Sequence, residues 1–204
     1  SYWFFTGQPE ETRAGWWNDA WSYRKAITIN HEKVAGDLVN FPMLVSLTDT
    51  NLGTHAQPDG DDIVFLTADG HRLSHEIESF SITTGALVAW VKMPSLSSTD
   101  DAQIYMYYGN PSASSGQAPE DVWDDNYVMV QHMEEDGLGT RYDSTKQNND
   151  CRTYGYEGDE ATTTAKINGG DDFDGSNDLI YASSSNSIDF TTNDFTVSAW
   201  VKSK

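Results

Sequence analysis

Residues 72–108 read RLSHEIESFSITTGALVAWVKMPSLSSTDDAQIYMYY. Three strand patterns follow one another here: Arg72–Phe80, Ala86–Met93 and Ala102–Tyr108. Thr-Thr-Gly and Ser-Ser-Thr-Asp-Asp separate them, and these residues favour turns. Upstream, the pattern repeats. WWNDAWSYRKAITIN ends in the alternation of Tyr23 to Ile29, FPMLVSLTD spans Phe41–Asp49, and DDIVFLTADG spans Asp61–Gly70 and closes on an Asp-Gly turn. Six short strands spaced by roughly 10–20 residues, with turn signals between, predict a β-sandwich. Pro42, Pro94 and Pro111 fall at strand edges or just outside, where a missing N–H is tolerated. No segment carries a sustained helical stripe.

The far end of the chain has the same period. Phe173–Lys202 reads FDGSNDLIYASSSNSIDFTTNDFTVSAWVK. Asp178–Ala182 and Asp194–Val201 both have strand patterns. In the second, Phe195, Val197, Ala199 and Val201 alternate with Asp194, Thr196 and Ser198, which predicts a half-buried strand. Between the two blocks, Tyr127, Met129 and Gln131 alternate with Val128, Val130 and His132, and Asn148–Glu160 reads as a polar loop.

WSYRKAITI, FPMLVSLTD, DGDDIVFLTADGHRLSHEIESF, LVAWVKMPSL and IYMYYGNPSA together resemble a prokaryotic domain family of unknown function. That family occurs in secreted and surface proteins, often just ahead of a laminin-G-like domain. The resemblance covers about Trp16–Ser115 and implies a jelly-roll sandwich without implying chemistry. SASSGQAPED (Ser112–Asp121) has linker composition. Beyond it, Asp125–Asp150 and Phe173–Lys202 resemble opening strands of the laminin-G-like, concanavalin-A-like jelly rolls. The expected layout is an aromatic arm at 1–15, a sandwich at 16–115, a linker at 116–124 and a partial jelly roll at 125–204. The fold class is thus all-β, two consecutive β-sandwich (jelly-roll) modules, the second incomplete in this chain. The motif AWVK occurs at Ala89–Lys92 and again at Ala199–Lys202, which reads as two similar strands rather than a repeat.

Composition narrows the function classes. The 204 residues carry a net charge of −20, with 22 Asp against 10 Glu. Phosphate backbones and anionic membranes attract Lys and Arg, so nucleic acid and membrane surfaces are excluded as partners. No 18-residue apolar run exists, so no membrane-inserted helix is expected. The lone Cys151 leaves no disulfide within the chain. The opening SYWFFTGQPEETRAG lacks the basic and aliphatic regions of a signal peptide and fits a mature N-terminus.

Loop carboxylates are hard ligands for calcium, which takes six to eight oxygens. Asp171, Asp172, Asp174 and Asp178 cluster around Gly175, and Glu134 and Asp143 lie in the loops after the strand at Tyr127–His132. Related jelly rolls hold calcium at the sandwich rim, so the resemblance implies Ca²⁺ here. The residues alone equally fit turn caps, and EF-hand spacing is absent. Pro58–Asp62 reads as a β-turn. His71, His75, Glu76 and Glu78 suggest a metal or acid–base set, yet on a strand His75 and Glu76 face opposite ways. Glu76 and Glu78 have the i, i+2 spacing of a glycosidase carboxylate pair.

Aromatic residues supply the remaining candidates. Trp90 and Trp200 lie inside alternating strands and are expected in the core. Trp16, Trp17 and Trp21 precede the first strand and are candidate glycan or partner contacts. Tyr2, Trp3, Phe4 and Phe5 form an arm whose burial stabilises by roughly 1.5–3 kcal/mol per large side chain. The arm is read as an assembly element that joins copies of the chain by strand or arm exchange. The expected function is a non-catalytic extracellular structural or adhesive protein of a prokaryotic cell surface, self-assembling into a fibre or array. The alternative is a glycan-binding module of a longer secreted protein, which could itself be a carbohydrate-active enzyme. No enzyme activity is expected, and no cofactor other than calcium.

Overall fold

The computed structural model describes residues 15–158, 160–162, 165–190 and 194–203. The arm residues Tyr2, Trp3, Phe4 and Phe5 lie outside them. The chain forms two compact units that divide between Asp124 and Asp125. Every strand pairing is antiparallel, and among the described residues only two short α-helices interrupt the strands. The all-β expectation therefore holds.

Unit 1 contains seven strands: β1 (Tyr23–Ile29), β2 (Leu38–Thr48), β3 (Val64–Thr67), β4 (Arg72–Leu73), β5 (His75–Ser81), β6 (Ala86–Leu96) and β7 (Ala102–Tyr108). They form a four-stranded sheet, β1-β7-β3-β4, and a three-stranded sheet, β2-β6-β5. Alternation decides which side chains go inside. Leu87, Ala89, Val91 and Met93 of β6 are buried, and Val88, Trp90 and Lys92 between them are not. They join Ile27, Ile29, Met43, Val45, Phe65, Ile104 and Met106 from both sheets in one apolar cluster. Two sheets sharing one core make a sandwich.

Prolines and glycines mark its special backbone positions. Pro42 lies inside β2, an edge strand, where a missing donor costs little. Pro94 lies inside the central strand β6, but beyond Val91, the last residue of β6 that β5 pairs. The helix α1 (Thr50–His55) was not legible in the sequence. Asp49 caps it by accepting the Asn51 N–H at 2.9 Å, and Leu52 buries itself in the core. Gly85, at φ +69°, passes so close that a Cβ there would sit 1.8 Å from the Asp49 carbonyl oxygen.

The segment with linker composition packs onto unit 1. The His75 carbonyl accepts the Ala118 N–H at 2.9 Å, and the Ile77 N–H donates to Gln117 Oε1 at 2.6 Å. The short helix α2 (Pro119–Val122) follows, with Val122 fully buried. β5 is an edge strand, and this strap occupies two of its outward backbone groups.

Unit 2 has less regular structure. β8 (Thr140–Arg141), β9 (Cys151–Tyr154) and β12 (Leu179–Ala182) form a sheet in the order β12-β9-β8. β10 (Ala161–Thr162) pairs with β11 (Gly170–Asp171). Four expectations are corrected here. The strand over Tyr127–His132 is reduced to an isolated bridge between Gln131 and Asp143. Cys151–Tyr154, read as loop, is the central strand of its sheet, because its polar residues hide the period. Phe195–Val201 has no ladder partner among the described residues and is exposed throughout. A strand needs neighbours for its backbone groups, and alternation alone does not provide them. Trp200, expected in the core, is 72% exposed, with the Lys166 ammonium 5.4 Å from its ring.

Candidate functional site

Two carboxylates and two tryptophans meet on the outer face of the β2-β6-β5 sheet. Glu76 pairs with Trp90 across the β5–β6 ladder, and a bulge between Ile77 and Ser79 follows. Strict alternation would turn Phe80 outward. The extra residue restores its inward direction, and Phe80 packs on the core. Glu78 at the bulge is buried, and its Oε2 accepts the Trp90 indole N–H at 2.7 Å. Trp123, at the end of the strap, donates its indole N–H to Glu76 Oε2 at 3.0 Å. The two indoles lie 5.2 Å apart. Trp90, expected in the core, is thus half-buried on the opposite face, and the two carboxylates that suggested a glycosidase pair each hold a tryptophan.

His75 faces the other way, into the core. It is fully buried, with the Phe65 ring edge-on at 5.3 Å. Burial first, and the nearby Arg72 charge after it, push its imidazole down to about 4. It is therefore neutral at pH 7. Its Nε2 meets no partner among the described residues. His71 is exposed beside Asp69, 3.4 Å away, so the two histidines do not converge.

The tryptophans before β1 pack on the outer face of the other sheet. Trp16 and Trp21 are buried against Val64, Leu66 and Tyr107, with Trp17 half-buried beside them. Trp21 donates its indole N–H to the Asp62 carbonyl at 2.7 Å. The Arg24 guanidinium lies 4.4 Å from the Tyr105 ring, and that of Arg72 lies 5.7 Å from Trp17. This face is aromatic and carries two cations in a strongly acidic protein.

Asp62 is the organising carboxylate of the Asp59–Asp62 turn. It is fully buried and accepts three backbone N–H groups: Gln57 at 2.8 Å, Gly109 at 2.6 Å and Asn110 at 2.9 Å. It joins the turn before β3 to the exit of β7. The sequence carried a signal for a turn, but none for which aspartate would turn inward.

The six calcium candidates of unit 2 do not gather at one point among the described residues, and five of them, Glu134, Asp143, Asp171, Asp174 and Asp178, accept hydrogen bonds on their carboxylates. Asp143 accepts four hydrogen bonds, from Val130 N–H, Thr145 N–H, Thr145 Oγ1 and Asn149 N–H. Asp171 is gripped by Arg141, with Nε at 2.9 Å from one oxygen and Nη2 at 2.7 Å from the other. Asp178 accepts the Asp174 N–H at 2.7 Å, and Asp174 accepts the Ser176 N–H at 2.7 Å. That last bond holds the Asp174 carboxyl below its usual range. Asp172 donates its N–H to the Glu160 carbonyl, and Glu134 accepts from the Asn168 amide at 3.1 Å. Among the described residues, no three His, Cys, Asp or Glu side chains are grouped to hold a metal ion.

Arg141 is the residue that sequence reasoning missed. Its side chain is completely buried, 5.7 Å from the Tyr156 ring. A signal existed: Arg141 and Lys146 are the only Lys or Arg residues between Lys92 and Arg152.

Unit 2 also exposes apolar side chains on its sheet. Leu179 of β12 faces Tyr154 of β9 directly, and Tyr181 faces Arg152 one pair further on the same side. All three apolar residues are exposed, as are Phe195, Val197, Trp200 and Val201. Phe195 stacks on Phe190 with centroids 4.6 Å apart.

A protein-family model described as a domain of unknown function (DUF2341) matches residues 59–149, a little under half of the chain. The match begins and ends later than the resemblance seen over Trp16–Ser115. No curated protein and no solved structure matches. No described helix is long and apolar enough to cross a membrane.

Proposed function

We propose that the protein is a non-catalytic structural or adhesive component of an extracellular prokaryotic surface, whose second unit joins it to copies of itself. One observation carries this reading: unit 2 leaves the Tyr154–Leu179–Tyr181 face and the unpaired Phe195–Val201 row uncovered. Contiguous exposed apolar surface marks an interaction site, and an extended segment with a free backbone is suited to strand addition. The resemblance of residues 125–204 to laminin-G-like jelly rolls supports a sandwich sheet that another strand completes. In unit 1, Glu76 and Glu78 fit the role of indole anchors better than that of reacting acids. The aromatic arm at Tyr2–Phe5 is a second joining element.

Sedimentation across a concentration series tests the reading. The full chain is expected to associate as concentration rises, and Val197→Asp combined with Tyr181→Asp is expected to sediment as a monomer. Removing residues 1–15 should weaken association separately. A wild-type protein that stays monomeric throughout would sink the proposal.

The alternative, a glycan-binding module, is favoured by the aromatic outer face of unit 1, where Trp17 and Tyr105 stand beside Arg72 and Arg24. A glycan array decides it: binding that Trp17→Ala abolishes supports it, and no binding by the intact protein removes it.

A further inference from the structure

The buried cation of unit 2 has more hydrogen-bonding capacity than its protein partners use. Arg141 Nε and Nη2 clasp Asp171, and Nη2 also donates to the Gly137 carbonyl at 3.1 Å. Nη1 has no partner among the described residues. Two other buried polar atoms near this guanidinium share that condition. One is Glu135 Oε2, 3.9 Å from Arg141 Nε, whose companion Oε1 accepts the Tyr142 N–H at 2.7 Å. The other is the Tyr156 hydroxyl, whose ring lies 5.7 Å from the guanidinium carbon. No other buried side-chain polar atom of unit 2's described residues is unmatched. Buried polar groups are rarely left unpaired, and three around one residue call for a common cause.

We propose that the Arg141 centre is an internal hydration site, in which ordered water bridges Nη1, Glu135 Oε2 and the Tyr156 hydroxyl. The chemistry of the three atoms selects the ligand. Nη1 only donates, an ionised Glu135 only accepts, and a phenol does either. Water donates two hydrogen bonds and accepts two, so it meets all three. An anion would satisfy Nη1 but confront the Glu135 carboxylate, and a metal cation would confront the guanidinium. Bound water commonly makes about three hydrogen bonds to groups of this kind. The site ties the turn around Glu135–Gly137, β8 and β11 to Tyr156. It gives unit 2 a hydrated polar centre where a larger domain would have packed side chains.

Tyr156→Phe in the full chain tests this by the sign of its effect. A hydroxyl bonded to water is lost at a cost, and the melting temperature of unit 2 falls by about 2–4 °C. A hydroxyl without a partner is better deleted, and an unchanged or raised melting temperature overturns the proposal. A crystal structure sharp enough to show ordered solvent is the second measurement. A water peak within hydrogen-bond distance of Nη1 and of Glu135 Oε2 or the Tyr156 hydroxyl supports the site. Empty density there, or a peak that refines as chloride, refutes it.

Discussion

The two units of this chain solve the same problem with different interiors. Unit 1 gathers eighteen buried residues into one apolar cluster between two sheets. Unit 2 buries only Cys151 and Tyr156 among its described apolar side chains, together with Arg141, Asp143, Thr145, Asn149 and Glu160. Its large apolar residues are on the outside instead, whereas unit 1 exposes only Val39 among the described residues. The difference teaches that a strand pattern and a closed core are separate achievements. Unit 1 is held chiefly by burial, and unit 2 by hydrogen bonds and the buried Arg141–Asp171 ion pair, which have to stand in for burial.

The largest effect is expected where unit 1 depends on a charge despite its apolar core. Asp62→Ala removes the acceptor of three backbone N–H groups and leaves Gln57, Gly109 and Asn110 unmatched. Hydrogen bonds to charged groups contribute about 1.5–3 kcal/mol each, and losses of this kind do not add. Unit 1 should lose about 3–5 kcal/mol. Urea unfolding followed by tryptophan fluorescence checks this, and a loss below about 1 kcal/mol would show the carboxylate to be dispensable.

In unit 2 the corresponding change is Arg141→Met. It leaves Asp171 buried without its cation, a loss of about 3 kcal/mol or more. Hydrogen exchange should show protection falling across unit 2 while unit 1 keeps its own. Adding Asp171→Leu to Arg141→Met should recover much of the loss, because the uncompensated charge goes with it. If both units loosen together, they are not independently held.

Acid should separate the units the other way. His75 titrates near 4 in the fold and at 6.5 when unfolded. The unfolded chain therefore takes the proton first, and stability is complete above 6.5. It is lost as pH falls from 6.5 toward 4, by at most about 3 kcal/mol. Comparing urea midpoints of wild type and His75→Leu across this window isolates the effect in unit 1. Parallel pH profiles for the two proteins would show that His75 contributes nothing to it.

What the sequence disclosed follows the same division. The strands of unit 1 were legible because burial on one face imposes period two, and β6 shows it residue by residue. The bulge at Glu78 and the strap at Gln117–Trp123 were not, because each depends on a neighbour distant in sequence: β6 for the bulge, and the open edge of β5 for the strap. Alternation at Phe195–Val201 was real as a pattern, yet no described strand pairs with it. The candidate carboxylates of unit 2 were found by composition, but composition does not say whether an oxygen is free. Asp171 was singled out, and Arg141, which takes both its oxygens, was not.

The smallest effect sharpens that last point. If turn N–H groups and Arg141 already use the carboxylates of unit 2, calcium has little to gain there. Asp143 accepts four donors on two oxygens, and a Ca²⁺ ion would have to displace several of them at once. Asp171 would first have to leave a bidentate clasp in which each bond is charge-assisted. Ligand that binds only the folded state raises its melting temperature by an amount set by its free concentration relative to Kd. Millimolar calcium should therefore shift the unit 2 transition by less than about 1 °C, and a chelator should leave it unmoved. A shift of several degrees would mean that these hydrogen bonds rearrange around the ion. Asp171→Asn then shows which partner matters. It should weaken unit 2 without calcium if Arg141 is the true partner, and abolish the calcium shift if the ion is.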